Sequence, residues 1–154
     1  MQKVLINFAS VLIAVLAALF LYDKFRSSRT TGDFGVGALQ ERNKMLQSDF
    51  QRAASGAKTA LAEFYANRGS WPTKNEDAGL PTPEAYRGES LRKLEVDGPT
   101  ITLTFDARSG VDGGQIILTG EATPNFAMGI NWRCVSPNIS DIAAIVPACK
   151  YSKR

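Results

Sequence analysis

From Leu46 the chain repeats apolar residues at steps of three and four: Phe50, Ala53, Ala57, Ala60, Leu61 and Phe64, with Leu39 one longer step ahead. That spacing predicts an amphipathic helix over residues 38–68 with one apolar stripe. Glu41, Arg42, Lys44, Asp49, Arg52, Lys58 and Glu63 fall between the stripe positions and are expected on the wet faces. Asn67-Arg68-Gly69 supplies a stop, because glycine takes the left-handed cap conformation, and Trp71-Pro72 keeps the helix from resuming.

The pattern then changes period. Residues 73–89 are broken by Gly79, Pro81, Pro83 and Gly88 and read as an irregular surface segment. Leu91–Val96 alternates in part, and Thr100–Phe105 alternates cleanly with Ile101, Leu103 and Phe105 on one face. Asp97-Gly98-Pro99 turns between them, and Asp106–Gly114 forms a glycine-rich hairpin loop. Gln115–Gly120 and Ala127–Val135 complete an expected meander of four antiparallel strands. A sheet with one apolar face needs cover and the helix supplies it, so the fold class is α+β with a long helix on a four-stranded antiparallel sheet.

Ahead of this lies Val4–Tyr22, a run without a charge. As a helix it measures roughly 28 Å, about one bilayer core. It reads as an uncleaved transmembrane anchor; the competing reading, a cleaved secretory signal, lacks a small-x-small cleavage site. Ser27–Gly37, rich in glycine and hydroxyl residues, is expected to be a flexible linker. The expected organisation is therefore an anchor over 1–26, a linker over 27–37 and a globular domain over 38–154.

Charge refines this picture. The formal net charge is +3, and Lys3, Lys24, Arg26 and Arg29 against Asp23 account for all of it. The remainder is neutral, which argues against a broad nucleic-acid platform. Lys24, Arg26 and Arg29 follow the span, so the positive-inside rule puts the head in the cytoplasm. Cys134 and Cys149 point the other way if bridged, since disulfides persist in oxidising compartments. A bridge closes a loop worth about 3 kcal/mol in the chain-entropy description, and a free thiol pair is the reading for a cytoplasmic head.

Candidate chemistry is sparse. The chain has no histidine, which removes the commonest general base and zinc ligand. Ser55-x-x-Lys58 and Ser90-x-x-Lys93 match the pattern of acyl-transfer serines without its companion motifs. The acidic residues lack calcium-loop spacing, Gly113-Gly114 precedes no helix, and no metal or cofactor is expected. Asn138-Ile139-Ser140 is a formal glycosylation sequon. Arg133, Lys150, Lys153 and Arg154 form a candidate interaction patch, with Arg92 and Lys93 expected on a neighbouring strand and Trp132 over the cysteines. The C-terminal tail from Lys150 is expected to be mobile.

Four features in order resemble type IV pilins: the apolar N-terminal run, the alanine-rich helix closing on Ala57–Pro72, the strand pair in Val96–Phe105, and Asn131-Trp-Arg-Cys134 followed by Ile145-Val-Pro-Ala-Cys149. The resemblance implies a helix laid on an antiparallel sheet, an αβ-loop at Gly69–Ser90, a disulfide-bounded region between Cys134 and Cys149, and a head outside the cytoplasmic membrane. It also implies a non-catalytic role. The N-terminus differs from the family, with no glycine before a phenylalanine and no glutamate in the apolar run. The expected function is thus a single-pass inner-membrane protein whose head binds pilin or pilus-assembly proteins. The alternatives are a genuine minor or major subunit for adhesion and motility, and a DNA-binding module for uptake.

Overall fold

The computed structural model describes residues 2–124 and 129–153; for residues 2–14 and 23–34 it describes the helical backbone alone. The chain divides into two compact units, Met1–Gln40 and Glu41–Arg154.

In the first unit the backbone belongs to α1, a helix spanning Gln2–Arg68. Val15, Leu16, Leu19, Phe20, Leu21 and Tyr22 are exposed. Among the described residues no helix is long and apolar enough to cross a membrane; in the expected span Val4–Tyr22 the side chains of residues 4–14 lie outside the described part. Residues 27–37 are helical, where a linker was expected. Nucleation is the costly step in a helix, and a segment between two helical stretches needs only propagation, so the poor propensity of Gly35 and Gly37 is overridden. Leu39 belongs to this unit and is exposed, so the stripe that packs begins at Leu46.

In the second unit the rest of α1 lies on a five-stranded sheet ordered β1-β2-β3-β4-β5. The strands are β1 (Leu91–Asp97), β2 (Thr100–Phe105), β3 (Gly114–Ala122), β4 (Ile130–Ser136) and β5 (Cys149–Tyr151). The first four form the expected antiparallel meander. The fifth corrects the expected count of four: it returns parallel to β4, pairing Cys134 with Cys149 and Ser136 with Tyr151. The supposedly mobile tail therefore begins as a strand. The fourth expected strand started at Ala127, a position outside the described residues.

The core lies between helix and sheet. Leu46, Phe50, Ala53, Ala54, Ala57 and Leu61 from α1 meet Leu94, Val96, Ile101, Leu103, Phe105, Ile116 and Leu118. Each fully buried leucine or isoleucine here contributes roughly 2 kcal/mol of transfer free energy. The helix ends as its sequence dictates: Gly69 has φ 68°, and its N–H donates to the Tyr65 carbonyl at 2.8 Å. Short 3-10 turns at Asn75–Ala78 and Pro83–Ala85 carry the chain to β1. The loop from β4 to β5 is filled by Ile139, Ile142, Ile145 and Val146, all buried, with a single helical turn α2 at Ile142–Ile145.

Candidate functional site

The disulfide between Cys134 and Cys149 joins facing positions on β4 and β5, with Cα atoms 4.5 Å apart. Both cysteines belong to the core. The loop they bound is fastened to β3 by polar side chains. Ser136 Oγ donates to the Gln115 carbonyl at 2.6 Å and accepts from the Ile139 N–H at 3.0 Å. Asn138, the sequon residue, accepts from the Gln115 N–H at 2.8 Å and donates to the Gly113 carbonyl at 3.0 Å. Arg42 on α1 forms an ion pair with Asp141 in the same loop.

The face of the sheet away from α1 carries the candidate patch. On β4 the even positions Trp132 and Cys134 turn toward the helix and the odd positions Asn131, Arg133 and Val135 turn away, as strand alternation requires. Lys150 on β5 stands opposite Val135. Arg133 and Lys150 therefore rise from the same face and line one groove of about 410 Å³ with Glu121, Asn131, Trp132, Val135 and Ala148. Arg133 reaches Glu121 at 3.4 Å, with both side chains largely exposed, a pairing of little energetic weight. Lys153 is exposed beyond β5, and Arg154 lies outside the described residues. Arg92 and Lys93 do not join them. They sit on β1 at the opposite edge of the sheet, paired with Asp112 at 2.9 Å and Glu95 at 2.8 Å.

Trp132 belongs to an aromatic cluster. Its ring stands beside Gly120, where a Cβ would fall 3.0 Å from Trp71 and 3.2 Å from Trp132, so the absent side chain admits both indoles. Tyr65 packs on Trp71 with ring centroids 4.7 Å apart. Lys58 Nζ lies 5.7 Å from the Trp132 centroid, and burial pushes its ammonium below the usual lysine range. Lys58 is thus half-buried rather than wet, while Ser55 is exposed. The other serine–lysine pair is also structural, since Ser90 is buried on Asp49.

Asp49 overturns its expected place most sharply. Assigned to a wet face, it is 1% exposed. Its carboxylate accepts from the N–H groups of Glu89 at 3.2 Å, Ser90 at 2.7 Å and Leu91 at 3.0 Å, and from Ser90 Oγ at 3.0 Å. Arg52 adds an ion pair at 2.9 Å. Burial raises the carboxyl's pKa, but the hydrogen bonds from Ser90, Leu91 and Glu89 outweigh it and hold it below the usual aspartate value. Asn75 plays a similar part for the αβ-loop. Its amide donates to the Pro81 and Leu94 carbonyls, each at 2.9 Å, and its oxygen accepts from the Val96 N–H at 2.8 Å.

The carboxylates of the Asp106–Gly114 loop hold arginines. Asp106 binds Arg108 at 2.8 Å and Asp112 binds Arg92. Among the described residues no cluster of acidic or cysteine ligands could hold a metal.

The head is thus a long helix on an antiparallel meander, closed by a C-terminal disulfide. Residues 48–150 match the family described as pilin, a bacterial filament protein, and the chain belongs to that family. It is 30% identical over 89 residues to the type IV major pilin protein PilE1 of Neisseria gonorrhoeae, covering 54% of this chain and 47% of that protein. It is 27% identical over 93 residues to a fimbrial protein of Neisseria meningitidis serogroup B, covering 58% and 53%. The chain spans about half the length of the curated relatives it matches.

Proposed function

We propose that the protein is a non-catalytic, membrane-anchored pilin-like protein that works by protein–protein contact with pilins or with the proteins that assemble them. The single observation carrying this reading is the family match over residues 48–150, which takes in the packing half of α1, the sheet and the disulfide-bounded loop. On this reading residues 1–26 anchor the chain and the head stands on the periplasmic or outer side, where the disulfide persists.

The helical backbone of residues 27–37 favours a second reading, a minor or major subunit that enters the filament. A helix there, in place of a flexible linker, is compatible with a subunit spine. The DNA-uptake alternative would rest on the C-terminal basic residues alone, because Arg92 and Lys93 lie at the far edge of the sheet from Arg133 and Lys150.

The test is to express the affinity-tagged full chain in a piliated bacterium, recover its partners and count surface pili. Recovery of pilin or of assembly proteins, or altered piliation, is expected; the absence of both association and any change in piliation would sink the proposal. Presence of the chain in sheared, purified filaments separates the second reading from the first.

A further inference from the structure

The β4 edge is only half covered. β5 pairs with Cys134–Ser136 alone, leaving the Ile130–Arg133 half of β4, which pairs with β3 on one side, without a strand on the other side among the described residues. The chain cannot extend β5 upstream: Pro147 has no N–H to give a ladder, and Cys149 N–H is turned back onto the Val146 carbonyl at 2.9 Å. The register shows where the free groups point. Gly120 N–H donates to the Pro99 carbonyl at 2.9 Å, toward β2, and Gly120 stands opposite Trp132. That pair is therefore a non-hydrogen-bonded one, and the Trp132 N–H and C=O face outward, away from β3. The same alternation turns the Ile130 groups outward, and it agrees with the Ser136 carbonyl accepting from Ser152 N–H at 2.9 Å on the β5 side.

From this geometry we infer that the β4 edge at Ile130–Arg133 is a docking site for an extended acidic segment of a partner protein, added to the sheet as a strand beside β4 and in line with β5. This rests on the reading that the protein acts through protein contacts. The free edge spans about 13 Å at strand rise, and the groove of about 410 Å³ beside it is bounded by Ala148 and Lys150. Main-chain bonds to Ile130 and Trp132 give such an addition its affinity, and alternate side chains give it selectivity. Arg133 and Lys150 rise from the open face of the sheet, so alternate residues of the incoming strand meet two cations there. The Glu121 partner of Arg133 is exposed and loosely held, so an incoming carboxylate exchanges with it at little cost. The intervening residues meet the half-buried Trp132 on the other face.

The probe is a short fluorescent peptide alternating glutamate and valine, titrated into the full chain in neutral detergent and followed by anisotropy. A lysine–valine peptide and a glutamate–valine peptide N-methylated at alternate residues serve as controls. Saturable binding of the acidic peptide is expected, weakened about tenfold or more by N-methylation, by Arg133→Glu with Lys150→Glu, and by Ala148→Trp, which fills the groove from an exposed position. Slower hydrogen exchange at the Trp132 amide in the bound state is expected as well. Equal binding of the N-methylated peptide would reduce the site to unspecific charge attraction and overturn the inference. So would absence of binding, or self-association of the chain that Ala148→Trp abolishes. Partner recovery by the full chain that survives Ala148→Trp would reject this edge while leaving the proposed function standing.

Discussion

Asp49 joins two elements that lie far apart in sequence. Its carboxylate satisfies three consecutive N–H groups at the entry to β1, so α1 positions the first strand through one side chain. The space around it is filled: a Cβ on Gly88 would fall 2.1 Å from Asp49 Oδ1. Asp49→Ala would leave these donors without their acceptor, and we expect a loss of about 3 kcal/mol, read as a lower urea midpoint with unchanged slope. The pH dependence follows from the lowered pKa. Above the unfolded aspartate value of about 3.9 the stabilisation is fully present, and it fades as pH falls through the lower folded value. Asp49→Asn should therefore be less stable than the parent at pH 7 and show a smaller further loss between neutral and acid pH. Equal acid sensitivity in both proteins would contradict this. Sequence pattern alone placed Asp49 in water because a lone acid beside an apolar stripe normally sits there. What buries it is Ser90, an acceptor-seeking partner far along the chain, and no local periodicity signals such a pair.

At the scale of elements, β2 was legible because it alternates over enough residues to show a period of two, and Ile101, Leu103 and Phe105 are fully buried as that requires; β1 alternates only in part, and β3 was legible as a short apolar run, Ile116-Ile117-Leu118, bounded by turn residues. β5 was not, because three residues are too few to show alternation, and its parallel return depends on a crossover that hides inside the cysteine loop. The groove at the β4 edge was missed with it, since a half-covered edge exists only once β5 is known to be short. The residues Arg133 and Lys150 could be named from sequence, but their common face could not. The disulfide adds a covalent link to the ladder that joins β5 to β4. With a sequence separation of 15, replacing Cys134 and Cys149 together by serine should cost about 3 kcal/mol, measured by urea unfolding under oxidising conditions. The loop should loosen before the meander does, so hydrogen exchange should quicken at Ile139, Ile142 and Cys149→Ser positions while Ile101 and Leu103 stay protected. Uniform quickening across β2 would show that the loop and meander open as one unit.

At the scale of the whole molecule, every residue of the buried core from Leu46 to Cys149 belongs to the second unit. Val36 and Leu39, the described apolar side chains near the end of the first unit, are 59% and 55% exposed. The glycine-rich stretch 27–37 suggested this division through flexibility, but its backbone is helical, so the division rests instead on where the core begins. Burial, and not chain stiffness, sets how much of the protein folds independently. A chain starting at Glu41 retains the Arg42–Asp141 ion pair, the Asp49 hub and the disulfide, and contains every residue of the buried core. We therefore expect it to fold with a single cooperative urea transition, a slope matching the head of the full chain, and a midpoint stability within about 1 kcal/mol of it. The exposed first turn should fray, which lowers helical circular dichroism beyond simple residue loss without moving the midpoint. A larger drop in stability would mean that residues before Glu41 hold part of the head in place.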